Sequence, residues 1–356
     1  MNIKKLPIDL FLEKSKNKII LDVRSPSEYL KGHIPNAVNM PLFSDSERAE
    51  IGTLYKKKGR ETAVLKGLEV TGPKLQSLLS DVINLKNEKN CEEVFVHCWR
   101  GGLRSNSFGW MLELAEIKVF ILEGGYKAYR NKVLSVFNQK YKIVLLSGET
   151  GCGKTDILKE LKTSGEQMID LEGLAHHKGS VFGGVGREKQ PTAQQFENDL
   201  AHDLSNIDIS KWIWFENESP AIGHVYIPKD IITQMKAAPV MQISLPKEVR
   251  EKRILLEYGN LDLAEMIHKI ERLKKYLGSK NCSDAVSGIQ TGELHTTISI
   301  LLDYYDKTYN HYLEKYNNTA ACFLALTEDD PKKNAAAVQI NANDKIFSLN
   351  QSGKEC

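Results

Sequence analysis

Long apolar runs are missing from this chain of 356 residues. None approaches the ~18 residues that a membrane span requires, so no membrane partner is expected. Cysteine pairs are missing as well. The six cysteines (Cys91, Cys98, Cys152, Cys282, Cys322 and Cys356) form no C-x-x-C and show no zinc-ligand spacing. That argues against a disulfide framework and against structural zinc. A dominant charge is also lacking: 48 basic and 46 acidic residues leave a formal net charge of +2. Such a balance permits a local basic face but does not require one. The opening Met1-Asn2-Ile3-Lys4-Lys5-Leu6-Pro7 has no apolar core of the signal-peptide kind and soon meets Asp9 and Glu13. A cytoplasmic location is the expectation. What is present is ordinary for a globular protein, 41% hydrophobic and 26% charged. The length suits two domains, each with its own core.

Chemistry enters at Val94-Phe95-Val96-His97-Cys98-Trp99-Arg100-Gly101-Gly102-Leu103-Arg104-Ser105. A β-branched and aromatic run ends at a cysteine, a glycine loop follows, and a helix-period pattern begins (Phe108, Met111, Leu112, Ala115). That order places the thiol in a bowl of backbone N–H groups at a helix N-terminus, which favours a thiolate or a bound oxyanion. Cys98, Arg100 and Arg104 are the catalytic candidates, and Trp99, Gly101, Gly102, Leu103 and Ser105 would form the oxyanion loop. A lone cysteine at a strand end is more often merely buried. The two glycines and two arginines beside it favour the reactive reading.

Around this loop, strand-like and helix-like stretches alternate. Ile19–Arg24 reads as a buried strand, Glu28-Tyr29-Leu30 as a short helix, and residues 44–69 as a helix and loop. A helical pattern follows at Leu75, Leu78, Leu79 and Val82, then a strand over Lys118–Leu122. The alternation predicts a parallel α/β sheet with its ligand site beyond the strand C-termini, where Cys98 falls. Leu21-Asp22-Val23-Arg24, Glu28, Gly32-His33-Ile34-Pro35-Asn36-Ala37, the cysteine loop and Glu123-Gly124-Gly125-Tyr126 together resemble a rhodanese domain over roughly residues 5–135. The resemblance implies that Cys98 carries sulfur or selenium as a persulfide or perselenide. In the usual sulfurtransferase loop the arginine often lies five residues after the cysteine. Here Arg104 lies six after Cys98, the spacing of the Cys-x5-Arg phosphatases, and phosphate-ester hydrolysis is a rival reading. The wider bowl suits a tetrahedral donor, phosphate or selenophosphate alike.

After Asn138-Gln139-Lys140 the pattern restarts. The strand Tyr141–Ser147 runs into Gly148-Glu149-Thr150-Gly151-Cys152-Gly153-Lys154-Thr155, which satisfies G-x-x-x-x-G-K-[ST], and a helix follows. Gly148, Gly151 and Gly153 would let backbone N–H groups approach phosphate oxygens, Lys154 would supply a point charge, and Thr155 would ligate Mg²⁺. An acid at the end of a neighbouring strand should complete the metal site. Asp170, Glu216 and Glu218 are all candidates for it, and Thr155, Asp170 and Glu218 are taken as the Mg²⁺ set. His176-His177 has no third ligand in register and is not read as a metal site.

The rhodanese-like part, the P-loop, Asp170-Leu171-Glu172, His177-Lys178-Gly179-Ser180-x-Phe182-Gly183 and Glu218-Ser219-x-x-Ile222-Gly223 follow one another in this order. The whole resembles the tRNA 2-selenouridine synthases across about residues 5–325. Where that family's motif has arginine this chain has Lys178, which keeps the charge and loses the planar fork. The resemblance implies phosphate contacts from Lys178 and Ser180. It implies replacement of sulfur by selenium at the wobble 2-thiouridine of a tRNA anticodon stem-loop. It further implies selenophosphate and geranyl diphosphate as substrates, an S-geranyl intermediate, Mg²⁺, and selenophosphate synthetase as a partner. A nucleotide-dependent sulfurtransferase acting on tRNA stays open beside the phosphatase. The expected organisation is a rhodanese-like domain over 1–137, a P-loop NTPase-like α/β domain over 138–327 with a basic helical region near 247–280, and a polar tail over 328–356.

Overall fold

In the computed structural model residues 3–178, 188–258, 262–316 and 322–348 are described. The chain forms two units, one of residues 1–137 with 194–202, the other of 138–193 with 203–356.

The first unit opens with β1 (Ile3–Leu6), α1 (Ile8–Lys14), β2 (Ile19–Asp22), α2 (Pro26–Lys31) and β3 (Val38–Asn39). Helices α3 (Asp45–Lys58), α4 (Arg60–Thr71) and α5 (Leu75–Lys89) follow. Then come β4 (Glu93–His97), α6 (Leu103–Leu114), β5 (Lys118–Leu122) and α7 (Gly125–Phe137). The strands pair in the order β1-β5-β4-β2-β3, all parallel. Every residue of β2 is buried, as are four of the five in β4, which is how strands covered on both faces read in sequence. The parallel arrangement gathers all strand C-termini at one edge, and Cys98 leaves β4 there. Residues 44–69 depart from the expected helix and loop: they make two helices, α3 and α4, broken at Gly59 with φ +89°.

The second unit contains β6 (Lys142–Gly148), α8 (Lys154–Thr163), β7 (Gln167–Ile169), α9 (Leu171–Leu174), α10 (Ala193–Ser205) and β8 (Trp212–Glu216). Of α10, residues 194–202 belong to the first unit. A small hairpin of β9 (Ala221–Ile222) and β10 (Val225–Tyr226) precedes α11 (Lys229–Ala237), β11 (Val240–Ser244) and α12 (Lys247–Tyr258). Helices α13 (Leu263–Arg272), α14 (Lys274–Leu277), α15 (Ser279–Thr291) and α16 (Leu294–Tyr316) build their own apolar cluster around Met266, Ile270 and Ala285. The chain continues through β12 (Cys322–Ala325) and α17 (Pro331–Ala342), with a π-helical turn at Asn343–Phe347. The sheet order is β12-β11-β6-β8-β7, again wholly parallel. No helix among the described residues is long and apolar enough to cross a membrane.

Two expectations about organisation need correction. Residues 331–347, expected within a polar tail, are helical and contribute Ala335, Val338, Ala342, Ile346 and Phe347 to the core around β6 and α8. Asp329-Asp330-Pro331 is a helix start: Asp330 accepts from the backbone N–H groups of Lys332 and Lys333, and Pro331 takes the first helical position. The second correction concerns residues 194–202, which sequence order places with the P-loop part and which pack with the first unit. Fully buried Asn198 donates to His33 O at 2.8 Å and to the Tyr126 hydroxyl at 2.7 Å. Gln195 accepts from the His33 N–H at 2.8 Å.

Candidate active site

Cys98 is 3% exposed, and its Sγ lies 3.3 Å from Ser105 Oγ at the start of α6. The loop around it is fastened from beneath by the first turn of α7: Tyr126 N–H donates to Cys98 O at 2.8 Å and Lys127 N–H to Trp99 O at 3.0 Å. This close approach dictates glycine. A Cβ on Gly125, which has φ +59°, would lie 2.3 Å from Cys98 O, and one on Gly101 would lie 2.5 Å from Leu122 O. Gly101 and Gly125 are therefore the two sides of one backbone crossing.

The charges beside the loop are placed differently from one another. Arg100 is exposed and makes no ion pair among the described residues. Arg104, expected to face an anion in the bowl, is held by Glu28 through contacts of 2.6 and 3.3 Å. Burial works against ionisation of Glu28, but Arg104, the Ser25 N–H and Arg48 together outweigh it and lower the carboxyl pKa. Trp99 and Leu103 are exposed at 38% and 46%, giving the loop an apolar lip.

Beneath the loop lies a buried polar layer that composition does not reveal. Arg24 and Asp22, 1% and 0% exposed, form an ion pair. Arg24 also donates to Gly32 O at 2.7 Å and stacks 3.7 Å from the centre of the Tyr126 ring. Burial opposes the Asp22 charge, yet His97 and Arg24 more than offset it and lower its pKa. His97 is fully buried with Nε2 3.8 Å from Asp22 Oδ2, and burial pushes its pKa down to about 4.

In the second unit the P-loop joins β6 to α8 as its sequence requires. Gly151 and Gly153 have φ of +83° and +74°. Lys154 Nζ donates back to Gly148 O at 3.0 Å. Burial opposes its charge, but Cys152, Glu216, Glu218 and Glu172 together raise its pKa. The register of β6 and β8 sets Leu146 opposite Glu216, which brings that carboxylate to the base of the loop. Thr155 Oγ1 donates to Glu216 Oε1 at 2.6 Å and approaches Glu172 Oε2 at 3.4 Å.

The acids that converge there are Glu172, Glu216 and Glu218, with ligand atoms all within 4.8 Å of one another. Asp170, expected among them, lies outside this group: its carboxylate caps α9 by accepting from Gly173 N–H at 2.7 Å. Glu216 is 1% exposed, and its Oε2 has no hydrogen-bond partner among the described residues. Burial first, then the Glu218 charge, pushes the Glu216 pKa up to about 7. Burial also raises that of Glu218. A carboxylate oxygen left unpaired among like charges beside a P-loop threonine fits a divalent cation, and Thr155, Glu172, Glu216 and Glu218 are the residues that would hold one.

Two arginines from the basic run near 247–280 complete this site. Arg250, 4% exposed, binds Asp306 through two 2.9 Å contacts and donates to Thr150 O at 3.2 Å and Leu245 O at 3.0 Å. Arg253 joins Asp156 and Asp329 across the start of α8. Both were legible only as members of a basic run, because about a hundred residues separate them from the loop they support. Lys178 is half-buried and ends a described segment, while Ser180 lies outside the described residues.

Comparison with known proteins agrees with both halves. Residues 9–132 match the model of the rhodanese-like domain, and residues 141–290 match that of the tRNA 2-selenouridine synthase AAA domain. A tRNA 2-selenouridine synthase of Psychromonas ingrahamii is 32% identical over 338 residues, covering 86% of this chain and 90% of that protein. One from Shewanella sediminis is 34% identical, covering 83% and 88%, and one from a Sulfurovum species is 31% identical, covering 84% and 90%. The chain belongs to the tRNA 2-selenouridine synthase family.

Proposed function

We propose that this chain replaces sulfur by selenium at the wobble 2-thiouridine of tRNA in two steps, one at each site. In the first, the thiouridine sulfur attacks the allylic carbon of geranyl diphosphate. A C–S bond forms, the C–O bond breaks, diphosphate leaves and the base loses its N3 proton. In the second, the selenium of selenophosphate, delivered at the Cys98 loop, adds at C2 and the C–S bond breaks to release geranylthiol; water then cleaves the Se–P bond, phosphate leaves and 2-selenouridine remains. Selenophosphate synthetase would supply that donor.

The observation that carries this reading is the acid cluster on the P-loop threonine, in a chain whose other unit cradles a cysteine. The backbone N–H groups of the loop and Lys154 suit a leaving diphosphate, stabilising charge as it develops. A Mg²⁺ on Thr155, Glu172, Glu216 and Glu218 would neutralise part of the same charge. Arg250 keeps the loop backbone in shape by binding Thr150 O. Around Cys98, the backbone crossing with Gly124-Gly125 fixes the loop, and exposed Arg100 offers a charge to an incoming anion.

Nucleoside mass spectrometry of tRNA from cells carrying single variants separates the steps. Cys98→Ser is expected to leave S-geranyl-2-thiouridine accumulating, and Lys154→Ala to leave plain 2-thiouridine. Identical products from the two variants would contradict the proposal.

A further inference from the structure

The hairpin of α3 and α4 has no role in the core that its sequence explains. None of the 14 residues of α3 is buried, and α4 buries only Ala63, Gly67 and Thr71. Only Glu47, Ile51, Gly52 and Leu54 of α3 are half-buried, and its other ten residues are exposed, a face left to solvent or a partner. At about 1.5 Å per residue α3 is about 21 Å long. Its root is tied to the cysteine site. Asp45 accepts from Ser27 Oγ at 2.6 Å, and Arg48 Nε lies 3.7 Å from Glu28 Oε2, the same carboxylate that holds Arg104.

The far end carries Lys56, Lys57 and Lys58, then Gly59 and Arg60. All four cations are exposed, and none makes an ion pair among the described residues. Between Gly52 and Leu65 the only acid is Glu61. The neighbouring lysines on the hairpin behave differently: Lys66 is paired with Glu50 and Glu69, and Lys74 with Glu47. Three cations at the end of α3 do complement its dipole, but Arg60, at the first position of the next helix, is on the unfavourable side of that effect. Helix capping therefore does not account for the group. Tyr55, 55% exposed, stands beside it.

We infer that this hairpin is an RNA-backbone grip. Lys56, Lys57, Lys58 and Arg60 neutralise phosphates of the tRNA at the tip of the hairpin, and the base being modified lies nearer the root. An extended polyanion is what four unpaired cations at the tip of an arm about 21 Å long fit, the length following from about 1.5 Å per residue. The inference rests on the proposed function, which supplies tRNA as the substrate.

Fluorescence anisotropy of a labelled tRNA transcript, titrated with the full-length protein at several salt concentrations, tests it. The variant carries Lys56→Gln, Lys57→Gln, Lys58→Gln and Arg60→Gln, which preserve helix propensity at exposed positions. Circular dichroism checks that its helical content is kept. Each phosphate neutralised contributes about 0.7–0.9 to the slope of log K against log salt, so the slope should fall by about 3 for four contacts. Tight wild-type binding with an unchanged slope in the variant would overturn the grip and leave the proposed function standing. A wild-type protein that does not bind tRNA would overturn both. A variant altered in self-association but not in tRNA binding would assign the hairpin to protein contact and overturn the grip.

Discussion

Cys98 and His97 are adjacent in the chain and face opposite demands. Cys98 sits where backbone N–H groups and glycine crossings shape a loop, whereas His97 is sealed in the polar layer below, near Asp22 and Arg24. Burial depresses the His97 pKa to about 4 from an ordinary value of 6.5. Protons then prefer the unfolded state, so stability is greatest above pH 6.5 and falls as the pH drops towards 4. Each pH step across that interval costs about 1.4 kcal/mol, and the whole of it about 3 kcal/mol. Within the same unit, Asp22 and Glu28 have lowered pKa values, so their contributions are lost only below about 4.5 and leave the window up to about pH 6.5 to His97. Glu216 in the P-loop unit, raised to about 7, acts there with the opposite sign, so the readout is confined to β4. Hydrogen exchange of β4 amides, corrected for intrinsic rates, should show protection falling across that window. A His97→Phe variant should flatten the fall, and an equally steep fall in the variant would refute the assignment.

At the same scale, the two loops were legible because their residues are consecutive. Glycine, cysteine, lysine and threonine at fixed offsets announce a cradle without any knowledge of the sheet. The acid cluster was only half legible. Asp170, Glu216 and Glu218 stood as candidates and Glu172 did not, because which side chain points back to Thr155 is not written in the sequence. That depends on the short helix α9, where Asp170 is spent as a cap. Arg250 and the Arg24–Asp22 pair likewise depend on tertiary placement.

Among the elements, α17 shows how composition misleads. Asp, Lys and Asn crowd its start, and its buried face is made of Ala335, Val338 and Ala342, small residues with little hydrophobic signal. The spacing of Ala335, Val338, Ala342 and Ile346 by three, four and four residues is nevertheless that of one helical face. Ile346 is 3% exposed in the core of the P-loop unit, and Phe347 stacks 4.9 Å from Trp212. Ile346→Ala should cost about 2–5 kcal/mol. Urea unfolding followed by tryptophan fluorescence would show it as a lower midpoint, and a midpoint equal to wild type would return this segment to the status of a loose tail. Residues 194–202 misled for another reason. Sequence order assigns them to the P-loop part, whereas Asn198 and Gln195 answer polar groups of His33 and Tyr126 that no periodicity reveals.

Across the two units together, two parallel sheets were foreseeable from alternating strand and helix patterns, and so was the placing of each loop at a strand C-terminus. In the proposed function each loop serves one half of a substitution: the P-loop with its lysine and three carboxylates would take the departing diphosphate, and the cysteine cradle the selenium donor. If these halves act in succession on one base, supplying the intermediate should bypass the first of them. Purified Lys154→Ala protein is given tRNA already bearing S-geranyl-2-thiouridine, together with selenophosphate, and the nucleosides are analysed by mass spectrometry. The expected product is 2-selenouridine at close to the wild-type rate, while Cys98→Ser protein under the same conditions yields none. Failure of the Lys154→Ala protein on the geranylated substrate, or turnover by the Cys98→Ser protein, would contradict successive action at the two sites.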